Sequence, residues 1–330
     1  MQEHPFAPFI RTLGKGKKGS RSLTFEEAET AMTMILEDQA TPEQLGAFLM
    51  LVRVKEESAE ELAGFIRAAR AHLNPASGRP VALPSVDLDW SSYAGKRRHL
   101  PWFVLSARLL AERAGVRILM HGTPGNKDNR VYSEEAVRSL GLPVCKDLDA
   151  VGQAVTNGGF AYIDLDRISP ALKHIVDLRQ LFGLRSPINT LLRMLNPLSA
   201  PYLMQGIFHP NYRGVHQQAA ILLGQPHMAV FKGEGGEAER NPDGECEVLG
   251  VRGREAIVET WPALFKRRHI APELLEVPRL AALWNGEIED EYGETAVIGT
   301  VAIALRLLER ASDPEDALAQ ANAMWVNRSA

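Results

Sequence analysis

The chain is poor in cysteine. Only Cys145 and Cys246 occur among 330 residues, with no metal-ligand spacing around either, which excludes a disulfide scaffold or a zinc module. No apolar run approaches the roughly 18 residues of a membrane helix. Residues 1–20 lack the apolar core of a signal peptide, so a cytoplasmic chain with no membrane partner is expected. A strong charge bias is missing too: 37 Lys and Arg against 41 Asp and Glu leave a net charge of −4. Any binding of nucleic acid therefore needs a local basic patch working against the bulk charge. There is no internal repeat. Gly14, Gly16 and Gly19 make no phosphate loop, since no strand precedes them and no Gly-Lys-Ser/Thr follows. What is present, 45% apolar and 24% charged residues, is the composition of a globular chain large enough for two domains.

The stretch that organises the rest is Pro84–Thr123. The alternating apolar run Val81–Leu88 predicts a strand, and the polar run WSSYAGKRRH predicts the loop after it. A helix follows, with Pro101 at its first position and Val104, Leu105, Leu109 and Leu110 facing inward; after Gly115 the run Val116–Met120 predicts a second strand. Strand, helix and strand make one parallel βαβ unit, whose ligands sit at the carboxyl ends of the strands and at helix N-termini. Lys96, Arg97, Arg98 and His99 lie at that end, as a solvated basic turn or as an anion site.

Before this unit, Ser22 and Thr24 with Glu26 and Glu27, Thr41-Pro42-Glu43, and Ser58 with Glu60 and Glu61 mark the starts of three helices, with a helical start at PFAPFIRTLG ahead of them. They predict a small helical domain over 1–74, leaving through the Pro/Gly link 74–80. Residues 80–168 and 198–330 predict an α/β domain, with helices from 169–197 joining the small one. Strands are expected at 160–163, 227–231 and 247–252, a Gly/acidic loop at 232–246, and mostly helix over 255–330. Cys145 is expected to be a buried small hydrophobe, His209 to cap the helix that follows it, and the acidic run Glu287–Glu294 to be a solvated face. His121, between a strand end and Gly122, is the best acid–base candidate, with no carboxylate beside it in sequence.

The N-terminal helices, Met120-His121-Gly122 and above all LRQLFGLRSPINTLLRMLNP (178–197) resemble the anthranilate phosphoribosyltransferases of glycosyl transferase family 3. The long segment follows that family's spaced motif at Arg179, Gly183, Arg185, Asn189, Asn196 and Pro197. The resemblance implies a nucleoside phosphorylase/phosphoribosyltransferase-like α/β fold, with a small helical domain and a larger α/β domain on a mainly parallel sheet. It also implies a homodimer through the helical domain, and Arg179 as the acceptor-carboxylate arginine. The departures are as informative. Where the family has a double-glycine diphosphate loop, this chain has Trp90-Ser91-Ser92-Tyr93-Ala94 followed by Arg98-His99-Leu100-Pro101. The family's Asp-Glu pair for Mg²⁺ falls on Ala238-Glu239, and one carboxylate alone makes a poor site.

Cations stand where that chemistry is lost. The pattern resembles the divergent YbiB-like branch, which implies a homodimer binding DNA or RNA with little sequence preference. On that reading Lys96, Arg97, Arg98, Arg185 and Arg193 hold phosphates, and Lys15, Lys17 and Lys18 extend the track as a flexible arm. Trp90, Tyr93 and Tyr212 are then available to stack on bases, whereas Trp102 reads better as core. No metal, cofactor or catalytic residue is required. The alternative is a pentosyl transferase with a changed acceptor, using Mg²⁺ and phosphoribosyl diphosphate. In that case His121, Gly122, Arg179 and Glu239 form the residual cleft.

Overall fold

Capping chemistry fixes the N-terminal helices. In the computed structural model, which describes residues 2–73, 84–125 and 129–328, helix α1 (Ala7–Gly14) is followed by α2 (Phe25–Leu36), α3 (Pro42–Lys55) and α4 (Ala59–Leu73). Thr24 and Glu27 form a reciprocal capping box on α2, and Thr41 and Gln44 form one on α3. Glu61 is fully buried but satisfied: its carboxylate accepts from Leu23 N–H, Ser58 N–H and Lys55 Nζ, tying three of the helices together. Around it Phe6, Phe48 and Phe65 meet edge to face, with ring centroids 5.5–5.8 Å apart. The link 74–80 and the start of the predicted alternation at 81–83 lie outside the described residues.

The α/β part begins with β1 (Leu88–Ser92), α5 (Phe103–Ala114), β2 (Ile118–Gly122), α6 (Ser133–Ser139), β3 (Val144–Cys145), α7 (Leu148–Gly158) and β4 (Phe160–Asp164). Short helices follow: α8 (Leu165–Ile168), then α9 (Pro170–Asp177), α10 (Arg179–Phe182) and α11 (Ile188–Leu191) within the 169–197 segment expected to be helical. Then come β5 (Tyr202–Ile207), α12 (Tyr212–Leu222), β6 (His227–Lys232), β7 (Cys246–Arg252), β8 (Glu255–Trp261), α13 (Arg279–Asn285), α14 (Glu291–Leu307) and α15 (Pro314–Val326). The strands form one sheet in the order β3-β4-β2-β1-β5-β6-β7-β8. It is parallel through β6 and antiparallel for the last two. The chain works outward from β1 on one side and returns to β5 on the other, so the strand order reverses at β1/β5, where open α/β sheets place their ligands.

Two sequence expectations are corrected. Among the described residues the first strand is not 84–88 but LDWSS, and part of the stretch read as a loop is strand. Its residues are all buried, because β1 is central and covered on both faces. Two of its polar residues are held inside: Asp89 by His121, and Ser92 Oγ by Ser133 Oγ. Trp90, proposed as a stacking surface, is fully buried against Phe103. Second, the start of 255–330 is strand β8, a half-exposed edge whose weak alternation is masked by the helical signals after it.

Helices α5, α14 and α15 pack on one face of the sheet, and Val104, Leu105, Leu109 and Leu110 point inward as predicted. On the other, the core of the helical domain continues through Leu172, Ile188 and Leu195 to β5, β6 and α12. No helix among the described residues is long and apolar enough to cross a membrane.

His216 of α12 lies in that core, its Nδ1 2.5 Å from Gln205 Oε1 of β5. Burial, helped by Arg193, pushes its pKa down to about 3, and burial with Lys96 pushes that of His99 down to about 4. Below pH ~6.5 the unfolded chain takes up protons that the folded chain refuses until near those values. Tm measured against pH is therefore expected to fall as the pH drops from about 6.5 towards 4, and His216→Gln should flatten that fall.

Candidate functional site

At the carboxyl end of the sheet, the loop after β1 meets the loop after β6, and three carboxylates from the second take hold of the first. Glu237 Oε1 accepts from the N–H groups of Ala94 and Gly95 at 2.6 and 2.7 Å. Glu234 Oε1 accepts from Arg97 and Arg98 N–H at 3.0 and 2.6 Å. Glu239 Oε2 accepts from Phe103 N–H at 2.9 Å, at the start of α5, and its Oε1 lies 2.5 Å from Lys96 Nζ. Lys96 is also 3.0 Å from Glu234 Oε2 and is only 1% exposed. Burial works against its ammonium, but the two carboxylates outweigh it and raise its pKa above the ordinary lysine value. Burial pushes the Glu239 carboxyl upward, towards neutrality. We read the pair as ionised, because Glu239 has charge-assisted or N–H donors on both oxygens and Lys96 has a carboxylate on each side.

The two loops approach closely because glycine permits it. A Cβ on Gly206 would lie 2.1 Å from the Glu237 carbonyl oxygen, and one on Gly233 would lie 1.7 Å from the same atom.

Beside this junction four guanidinium groups converge. Arg130 donates to the Ala94 and Gly95 carbonyls at 3.0 Å. Arg193 donates to the Gly206 carbonyl at 2.6 Å and to the Gly236 carbonyl. Arg185 is half-buried; burial and its neighbours Arg193, Arg179 and Arg130 push its pKa down to about 10. The side chains of Arg179 and Arg185 have no hydrogen-bonded or ion-paired partner among the described residues, and Glu237 is the carboxylate that offsets the cluster. Guanidinium groups with no hydrogen-bonded anion, such as these two, are where a phosphate or carboxylate ligand gains most.

His121, on β2 next to β1, does have a carboxylate partner. Its Nε2 lies 3.1 Å from Asp89 Oδ1 and its Nδ1 2.6 Å from the Tyr93 hydroxyl. The carboxylate only accepts, so Nε2 carries the proton and Nδ1 accepts from Tyr93. His121 is fully buried with both nitrogens engaged, so it positions Tyr93 rather than reaching a ligand. Gly122 is a packing residue, since a Cβ there would sit 2.3 Å from the Ser92 carbonyl oxygen.

The arrangement matches known proteins over its length. The sequence pattern of the helical bundle domain of the glycosyl transferase family matches residues 7–73. The anthranilate phosphoribosyltransferase of Anaeromyxobacter dehalogenans (strain 2CP-C) is 29% identical over 327 residues, covering 94% of this chain and 91% of its own. That of Anaeromyxobacter sp. (strain Fw109-5) is 30% identical over 253 residues, 77% of this chain and 71% of its own. This chain belongs to the anthranilate phosphoribosyltransferase family. Its fold is that of the Thermus thermophilus enzyme, at a TM-score of 0.73, 23% identity and coverage of 98% and 94% of the two chains. The Saccharomyces cerevisiae enzyme, solved in complex with PRPP and Mg, superposes at a TM-score of 0.76 with 17% identity, covering 99% and 96%.

Membership of the anthranilate phosphoribosyltransferase family implies a magnesium site, and the residues present do not fit one. Both oxygens of Glu239 and the Oε1 of Glu234 are already bonded, and the space between the two carboxylates holds Lys96 Nζ. No group of three or more His, Cys, Asp and Glu able to hold a metal occurs among the described residues.

The structure thus divides the residues proposed from sequence. Lys96 and Arg193 are corrected: both are buried and bonded internally, so neither is a phosphate contact. Glu239 is a loop anchor rather than part of an open cleft. Arg97 and Arg98 are exposed, as are Lys15, Lys17 and Lys18, while Arg179 and Arg185 stand together. His209 contributes its backbone carbonyl, not its side chain, to the start of α12. Sequence reasoning missed Arg130, hidden in a polar loop, and the gripping roles of Glu234 and Glu237, for which the repeated acid-glycine pattern GEGGEAE was the available signal.

Proposed function

We propose that this chain is a non-catalytic, sequence-nonspecific nucleic-acid-binding member of its family, acting as a homodimer, with the sugar-phosphate backbone as its ligand. One observation carries the reading. The loop N–H groups facing a diphosphate in such a fold are spent on the chain's own Glu234 and Glu237, while Arg179 and Arg185 beside them lack an anionic partner. A site like this has lost its means of wrapping a compact, multiply charged donor, yet it still attracts single phosphates spaced along a polymer. Exposed Arg97 and Arg98 at the loop tip, and Lys15, Lys17 and Lys18 at the N-terminus, supply further contacts of the adaptable kind that nonspecific binding needs.

A second reading is favoured by the relatives' names: pentosyl transfer from phosphoribosyl diphosphate to a changed acceptor, with Arg179 holding an acceptor anion and positioning supplying most of the rate. Two measurements on the full chain separate the readings. Single-stranded DNA is expected to bind with an affinity that falls steeply with salt. Arg97→Ala with Arg98→Ala should weaken all sequences alike and lower the log–log salt slope by about 0.7 per lost contact. Calorimetry with phosphoribosyl diphosphate and Mg²⁺ is expected to give no saturable heat. Saturable donor binding together with salt-independent or absent DNA binding would replace the first reading by the second.

A further inference from the structure

The buried charges at the junction of the two loops repeat, within one chain, the pattern of an anion and the cation that accompanies it. We propose that Lys96 is the resident cation of this site, its ammonium standing between Glu234 and Glu239 where a divalent ion would otherwise bind. Glu234 and Glu237 are in turn its resident anions, so the chain's own side chains occupy both the cation position and the loop amides.

Three observations carry this. Lys96 Nζ lies 2.5 Å from Glu239 Oε1 and 3.0 Å from Glu234 Oε2, with 1% of the residue exposed, so a bare divalent ion and the ammonium cannot share the position. The carboxylates approach it from one short loop, 234–239, whose backbone is pressed onto β5 at Gly206, so they are already converged rather than gathered by an ion. Glu237 is fully buried and its Oε2 has no hydrogen-bond partner, so the cluster retains one oxygen aimed inward with nothing to satisfy it. Carboxylate oxygens held this way are hard ligands of the kind Mg²⁺ and Mn²⁺ take, and Lys96 keeps such ions out. This goes beyond the binding of nucleic acid and stands whether or not that occurs.

The test uses the full-length chain with Mn²⁺ alone as the probe. Wild type is expected to show no saturable Mn²⁺ site by calorimetry or by electron paramagnetic resonance, and a Tm that stays constant as Mn²⁺ is added. Lys96→Ala removes the cation and leaves Glu239 buried with its charge unmatched. It should melt at a lower temperature and recover by roughly 2–8 °C as Mn²⁺ fills the vacated position. Adding Glu239→Gln to that variant should abolish the recovery. Saturable Mn²⁺ binding to wild type that Glu239→Gln removes would overturn the proposal. So would a Lys96→Ala chain, folded or unfolded, that Mn²⁺ does not stabilise. A measurement of DNA binding on the same samples tells this failure from failure of the functional reading, since neither result depends on the other.

Discussion

Glu239→Ala is expected to cost about 3–5 kcal/mol of folding stability, the loss seen when one partner of a buried ion pair is removed. Glu239 is 2% exposed and serves two donors, Lys96 Nζ and Phe103 N–H; its removal leaves the buried ammonium with Glu234 alone and the amide with no acceptor. The second loss weakens the start of α5, a helix whose N-cap residue, Trp102, offers no side-chain cap of its own. Denaturant unfolding of the variant measures the cost. A double-mutant cycle with Lys96→Met isolates the pair term: the double variant should be more stable than Glu239→Ala alone, because the buried ammonium, left there with one carboxylate instead of two, is gone. If Glu239→Ala proves as stable as wild type, the carboxylate is not the anchor assigned to it.

The second large effect comes from a glycine. Gly206→Ala places a methyl group 2.1 Å from the Glu237 carbonyl oxygen and 2.5 Å from Ala238 N, so backbone must move and no side chain can swing aside. Overpacking of this kind costs about 1–3 kcal/mol. The displaced loop takes Glu237 off the Ala94 and Gly95 amides, so amide hydrogen exchange should lose its protection at those two residues while α14 keeps its own. Gly214→Ala is the control, in α12 with nothing within 4 Å of the added Cβ. There the same substitution should stabilise, by about 0.5–1 kcal/mol. Opposite signs at two glycines of the α/β domain would show that close approach, not glycine content, sets the result.

The helical domain was legible in the sequence because its signals are local. Thr24 and Glu27, Thr41 and Gln44, and Ser58 and Glu61 each announce a helix start within four residues. The βαβ unit and the family resemblance were also legible, the first from apolar periodicity and the second from a long spaced motif. The strand LDWSS was not, because a central strand with buried serines and an aspartate looks like a loop until its partners, Ser133 and His121, are known. The charged residues were the least legible. In sequence Lys96, Arg97 and Arg98 are equivalent neighbours, yet the backbone turns the first inward and leaves the other two exposed. Only the carboxylates about 140 positions later decide that, through contacts no local pattern encodes. The same holds for His121, whose aspartate lies 32 residues earlier on the adjacent strand.

The grip of Glu234 and Glu237 on the 94–98 loop bears on reversion. Putting glycines at positions 92 and 93, where the family's double glycine falls, would loosen the loop without opening it to a sugar diphosphate, since the incoming oxygens would meet two carboxylates already seated on the same amides. Removing those carboxylates first would unseat the loop and leave Lys96 with Glu239 as its one carboxylate. A single substitution on either side therefore loosens the 94–98 loop before it frees the amides, so the two loops can be altered only as a pair.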